Sequence, residues 1–325
     1  MTPDGSVEVN LEAWQPPEYA DPGLFDEHEV TVGSGALAVP GTVTVPHGEG
    51  PHPAAVLLAG GGPFDRDGTA GPNKNLKDIA WGLAAHGVAV LRFDKVTHAH
   101  GEQVAATPEF TPTDEYVPHA VAGIEILRGL PTVDDGRVFV IGHSMGGKFA
   151  PRVAAAGSKV AGLVVLAGDT VPMQWSMVRV IEYLTKTDPA TAALLPTVEA
   201  ATEQAELVDG PDLSPATSAA ALPFGMPAPY WLDLRAYDPV AVAATLDLPM
   251  LFLQGERDYQ VTVDGDLAGW RAGLADRPDV TFRTYAADDH LFFPGTGPSI
   301  PEDYTRPHHV DPEVITDVAA WLKSD

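Results

Sequence analysis

The chain has 325 residues, 45% of them hydrophobic, and its 45 acidic against 19 basic side chains give a net charge of −26. That length buries a large core, as one α/β domain or one domain with an insertion, and that charge repels nucleic acid and anionic membranes. The absence of cysteine excludes disulfides, thiolate nucleophiles and cysteine-ligated zinc, and no apolar run is long enough for a transmembrane helix.

Residues 1–27 carry prolines and acids without a clear period and read as a surface arm. Their start has neither a basic n-region nor an apolar h-region, so the expected compartment is the cytoplasm. His28 to Val32 and Ala36 to Val45 alternate around Gly33-Ser34-Gly35, the pattern of an antiparallel hairpin. Ala54 to Ala59 is a continuous apolar run, a buried strand. Asn75 to His86 has helical spacing and stops at Gly87, and Val88 to Phe93 is the next strand. A helix over Asp114 to Arg128, a strand over Val138 to Ile141, a helix after it and a strand over Val160 to Leu166 complete the first half. Strands over Met250 to Gln254 and Val280 to Tyr285 and a helix over Pro312 to Lys323 close the chain. Strands alternating with helices make a mostly parallel, doubly wound sheet.

Between residues 171 and 246 the alternation breaks. Helical segments over Gln174 to Lys186 and Pro189 to Glu206 precede an irregular stretch from Gly210 to Pro229. The expectation is a helical lid, inserted between core segments 28–170 and 247–325 and standing over the carboxyl edge of the sheet.

Gly142-His143-Ser144-Met145-Gly146 lies between the strand ending at Ile141 and the helix that follows. Strand, sharp turn and helix with serine at the apex form a nucleophile elbow, whose glycines permit the tight turn and close packing. A serine hydroxyl needs a base, and the base needs an orienting acid. His290, in the loop after the last strand, is preferred as base over His308 and His309, which sit in a proline-rich stretch before the final helix. Asp258, in the turn after Met250 to Gln254, is preferred as acid over Asp169, which follows the preceding strand. The oxyanion donors expected are the amides of Met145, after the serine, and Gly61, with Gly62 next, in the loop Gly60-Gly61-Gly62-Pro63. That glycine run lacks the Gly-Lys-Ser/Thr ending of a phosphate-binding loop. Arg66, between Asp65 and Asp67, reads as an ion-paired lock on the loop.

These segments together resemble the bacterial α/β-hydrolase esterases related to dienelactone hydrolases and to the bile-acid-CoA acyltransferase-like group. The resemblance runs from about Val30 to the C-terminus. It is carried by Gly60 to Gly68, Asn73-Lys74-Asn75-Leu76, Leu91-Arg92-Phe93-Asp94-Lys95, Gly142 to Gly146, Pro229-Tyr230-Trp231, Leu253 to Val261 and Asp289-His290-Leu291-Phe292. It implies the α/β-hydrolase fold and carboxylic ester hydrolysis through an acyl-enzyme on Ser144, with Asp258 and His290 completing the triad and neither metal nor organic cofactor. The alternative is acyl transfer, thioester hydrolysis or lactone chemistry on the same triad. Ala59, Met145 and the stretch Val96 to Gly101 depart from the usual pattern. The expected partner is a small ester or acyl substrate, with Gly62, His98, Trp175 and Trp231 as candidates for its pocket.

Overall fold

The computed structural model describes residues 13–157 and 159–324. Its eight-stranded sheet is built from β1 (Phe25–Val32), β2 (Val39–Pro46), β3 (His52–Leu58), β4 (Ala89–Phe93), β5 (Val133–His143), β6 (Leu163–Leu166), β7 (Met250–Gly255) and β8 (Val280–Tyr285). The spatial order is β1-β2-β4-β3-β5-β6-β7-β8. β1 and β2 are antiparallel to their neighbours, and the other strands run parallel. This is the mostly parallel sheet with an antiparallel N-terminal hairpin that the alternation of elements predicts, in the α/β-hydrolase arrangement that the resemblance implies.

Strand periodicity divides the core in two. Val56 and Leu58 of β3 point to one face, with Ala120, Ile124 and Leu127 of helix α2 (Pro112–Arg128) and Ala150 and Val153 of helix α3 (Met145–Ala155). Ala55 and Leu57 point to the other, with Leu76, Ile79 and Leu83 of helix α1 (Asn75–Ala85). The C-terminal helix Pro312–Lys323 joins them there through Val314, Ile315 and Leu322. Because both faces are covered, the central strands are apolar along their whole length rather than alternating.

β5 starts at Val133 rather than Val138 and β6 at Leu163 rather than Val160, and three further boundaries differ for reasons visible in the structure. The first twelve residues of the expected arm lie outside the described residues. Of the remainder, Trp14 donates its indole N–H to Asp78 on α1 (2.8 Å), Ala20 is fully buried, and β1 begins at Phe25 rather than His28. The second hairpin strand starts at Val39, because Gly35–Leu37 form a 3₁₀ turn entered through Gly33 and Gly35 at positive φ. The expected helix from Pro189 to Glu206 is broken. A single turn, Pro189–Ala192, ends before Pro196, and Thr197 then accepts from Ala200 N to start Val198–Asp209. Proline offers no amide for a continuing helix and disfavours helical geometry in the residue before it.

Segment 171–246 holds helices α4 (Met173–Thr187), α5 (Val198–Asp209), α6 (Ala228–Ala236) and α7 (Pro239–Ala244). α4 packs on α5 through Met177, Val178, Ile181, Ala201 and Ala205. α6 sets Tyr230, Trp231 and Leu234 against Tyr116 of α2 and Met145 and Phe149 of α3. Among the described residues no helix is long and apolar enough to cross a membrane.

Candidate active site

Ser144 sits between β5 and α3 with φ 55° and ψ −124°. Such geometry costs a non-glycine residue about 1–3 kcal/mol and persists only where the surroundings impose it. Here the imposition is steric. A Cβ on Gly142 would overlap the Gly146 carbonyl, and one on Gly146 would stand 2.6 Å from the carbonyl oxygens of Leu58 and Ala59. Only glycine lets α3 start this close to β3 and β5, and the strained turn lifts the hydroxyl above the sheet edge.

The loop after β8 brings His290 to that hydroxyl. His290 Nε2 lies 3.0 Å from Ser144 Oγ, and Nδ1 lies 2.7 Å from Asp258 Oδ2. Asp258, in the turn after β7, also accepts from Gln254 Nε2 at Oδ2 (3.0 Å) and from the amides of Gln260 (2.8 Å) and Val261 (2.9 Å) at Oδ1. Burial pushes the His290 pKa down, but the Asp258 carboxylate outweighs it, so the net direction is upward from 6.5. Two flanking groups fix the loop. Asp289 Oδ1 accepts from the amides of Leu291 and Phe293, and burial pushes this carboxyl up to about 6. His143, one residue before the serine, bonds the His290 carbonyl through Nε2 at 2.8 Å. A carbonyl only accepts, so that nitrogen carries the proton. Burial, then the neighbouring His290, push the His143 pKa down to about 3 and keep it neutral.

Gly60, Gly61 and Gly62 run past the serine, and a Cβ on Gly60 would stand 3.1 Å from Ser144 Cβ. Gly61 lies across from Met145, its Cβ position 3.5 Å from Met145 Sδ. Among the described residues neither the Gly61 nor the Met145 amide donates to a protein acceptor, and the Met145 amide directly follows Ser144. The Met145 amide also opens a helix, where N–H groups lack intrahelical partners. A cavity of about 820 Å³ opens here, in the range of small-molecule sites. Ser144, His290 and Gly60 to Gly62 form its floor; Met173, Met177, Val180, Ile181, Phe224 and Met226 of segment 171–246 form its wall.

Of the expected pocket residues only Gly62 lines this cavity. His98 is exposed and donates Nδ1–H to the Pro63 carbonyl. Trp175 turns away to bond Asp209 on α5 (2.6 Å). Trp231 is fully buried behind the cavity wall, in the apolar cluster that seats α6. The other acid and base choices have different occupations. Asp169 is held by Lys148 at 2.6 Å, His308 stacks on Phe293, and His309 bonds Asp78. Arg66 bridges Asp94 and Glu29, locking the loop after β3 to the hairpin.

Sequence reasoning assigned no role to Lys95, Glu115 and Tyr116, which meet behind Gly60. Their separation in the chain hides this, and the only pointer was the place of Lys95 at a strand's carboxyl end. Among the described residues no group of three His, Asp or Glu side chains is arranged to hold a metal ion.

Residues 55–305 match the model of the alpha/beta hydrolase family. Over 306 residues the chain is 37% identical to the esterase EstD of Thermotoga maritima, covering 94% of this chain and 69% of that one. Among solved structures, a Pyrococcus furiosus esterase superposes with a TM-score of 0.56 at 16% identity, over 95% of this chain and 94% of that chain. A putative dienelactone hydrolase from Klebsiella pneumoniae gives 0.52 at 16% identity, over 93% and 99%. These two share the fold. The family match spans the parallel part of the sheet from within β3 to β8, the elbow and the loops that carry His290 and Asp258, and with the EstD identity it shows that the chain belongs to the alpha/beta hydrolase family.

Proposed function

We propose that the protein is a serine esterase that cleaves carboxylic esters with an apolar acyl group. The observation that carries this reading is the unbroken relay from Asp258 through His290 to Ser144, at 2.7 and 3.0 Å, opening into an apolar cavity. The 37% identity to an esterase supports it.

His290 Nε2 takes the Ser144 proton as Oγ bonds to the ester carbonyl carbon, and the carbonyl π electrons move to oxygen. The amides of Gly61 and Met145 stabilise that oxyanion. Asp258 holds the imidazole in the Nδ1–H tautomer and stabilises the imidazolium. Collapse of the intermediate breaks the ester C–O bond, and the leaving alkoxide takes the proton from His290. Water, deprotonated by His290, then attacks the acyl-enzyme; the acid departs and Ser144 regains its proton. In this reading segment 171–246 is the lid, inserted between the two core segments, and its methionines and Ile181 hold the acyl chain.

Replacing Ser144 with alanine tests the reading. Hydrolysis of a p-nitrophenyl acyl ester and labelling by a fluorophosphonate are both lost while the thermal melt is kept. A Ser144→Ala protein that turns over at the wild-type rate refutes it.

A further inference from the structure

Behind the glycine loop lies a buried polar group that none of the steps above uses. Lys95 Nζ donates to the Gly60 carbonyl oxygen (2.7 Å) and to Tyr116 Oη (2.8 Å), and pairs with Glu115 Oε1 (2.8 Å). Tyr116 donates its hydroxyl hydrogen bond to the same Gly60 oxygen (2.8 Å). Glu115 is completed by Thr97 at Oε1 and by Tyr230 of α6 at Oε2. The Lys95 and Glu115 side chains are each only 4% exposed. The ammonium thus has two hydrogen-bond acceptors and one ion-pair partner, and both lone pairs of the Gly60 oxygen are occupied.

A buried ion pair of this kind is weak evidence for stability, since desolvation offsets its attraction. Its placement points to another role. The Gly60 carbonyl and the Gly61 N–H belong to one peptide group, and in a trans peptide they point in opposite directions. Two donors that hold the oxygen toward the interior therefore hold the N–H toward Ser144. Hydrogen bonds into an amide oxygen also draw electron density from its nitrogen and strengthen the N–H as a donor. Burial pushes the pKa of Lys95 down while Glu115 opposes it, and it pushes those of Tyr116 and Tyr230 well up, which keeps both tyrosines neutral donors.

We propose that Lys95 and Tyr116, with Glu115 as counter-charge, are positioning residues that orient and polarise the Gly60–Gly61 peptide so that its N–H stabilises the oxyanion. The proposal rests on the serine-esterase reading and adds a charge that acts through a peptide bond rather than on the substrate. Tyr230 extends the network to the cavity wall: it bonds Glu115 and lies 3.8 Å from Met145 Sδ, beside the second oxyanion amide.

The test compares Ser144→Ala, Tyr116→Phe and the double variant Lys95→Met/Glu115→Gln with the wild type. Tyr116→Phe removes one hydroxyl and keeps the ring that stacks on Phe149. The double variant removes both charges and so leaves neither orphaned. Each protein is assayed for kcat and KM on a p-nitrophenyl acyl ester, for inhibition by an alkylboronic acid that mimics the tetrahedral adduct, and for its thermal melt. Loss of one whole oxyanion donor costs about 10²–10³ in kcat, so weakening one predicts about tenfold for Tyr116→Phe and about a hundredfold for the double variant. Boronate affinity falls by the same factors while KM stays within about threefold, because the effect exists only once the oxyanion forms. A folded variant whose kcat and boronate affinity stay within about threefold of wild type overturns the proposal, and so does a kcat loss without boronate loss. If the double variant does not fold, Tyr116→Phe decides by the same two criteria. Turnover by Ser144→Ala instead defeats the esterase reading itself and takes this proposal with it.

Discussion

Asp258→Asn isolates what the carboxylate does. Its Oδ1 accepts two backbone amides, from Gln260 and Val261, which have no freedom to reverse. The asparagine oxygen must therefore take the Oδ1 place and its NH2 group the Oδ2 place. That NH2 then faces His290 Nδ1 and the Gln254 amide, both of which donate to Asp258 in the wild type. Gln254 resists flipping, because the same nitrogen also donates to the Val261 carbonyl at 2.8 Å. His290 yields instead. Its Nδ1 becomes an acceptor, the proton moves to Nε2, and Nε2 no longer accepts from Ser144 Oγ. The wrong tautomer in a serine triad costs about 10⁴ in kcat, about 5.4 kcal/mol at about 1.36 kcal/mol per decade. KM changes little, since no substrate contact is lost. Steady-state hydrolysis of a p-nitrophenyl ester measures the first effect, and the rate of fluorophosphonate labelling should fall in parallel. A variant that keeps kcat within tenfold of the wild type would refute the tautomer argument.

Three further outcomes follow from the geometry. Because the base must be neutral and its pKa is raised, the acid limb of kcat/KM should fall above pH 6.5 rather than at it, as a pH–rate profile will read. The stability linkage has the opposite sign: a raised folded pKa stabilises fully below the unfolded value and is lost as pH climbs through the folded one, so the melting temperature should decline over the pH range in which activity rises. Val180→Phe fills part of the cavity wall above the serine. Each excluded methylene forfeits about 0.8 kcal/mol of burial, so kcat/KM should drop about fourfold per CH2 beyond the new limit, and a p-nitrophenyl ester series should show the optimum moving to shorter chains. An unchanged optimum would place the acyl chain elsewhere.

The legible parts were those set by short-range rules. Gly142 and Gly146 are required within five residues of each other, and the apolar runs of β3 to β7 follow from a sheet covered on both faces. The two loops that carry Asp258 and His290 were legible as well, each following directly on a strand end. The cavity wall was legible only in part: its apolar side chains come from the expected lid, but which of them face the cavity was not. Trp175 and Met177 are two residues apart on α4, yet one turns to Asp209 on α5 and the other faces the cavity. Helical spacing shows that a helix has an apolar face without telling which neighbour covers it. Trp231 failed for a related reason. A large aromatic side chain fits a substrate wall and a helix seat equally well, and here α6 needed the seat. His98 carried an ionisable ring near the glycine loop, but the short helix Val96–Ala99 directs it to solvent.

The two halves of the site are therefore held by different means. The elbow fixes the serine by sterics, and the residue before it, His143, holds the histidine loop by its carbonyl. The separation of Ser144 from His290 is thus set from the sheet core, while α4 braces the Asp258 loop through Arg179, which donates to the Gln260 carbonyl (2.6 Å). The oxyanion loop is tied instead to α2 through Lys95 and Glu115–Tyr116, and from there to α6 through Tyr230. Segment 171–246 thereby reaches the oxyanion loop along this polar route, touches the Asp258 loop through Arg179, and elsewhere lines the cavity mainly with apolar side chains. Methionines and aliphatic side chains on that wall are free to vary with the acyl group they accept. Tyr230 is not, because a change there disturbs Glu115, the counter-charge on which the aim of the Gly61 amide depends.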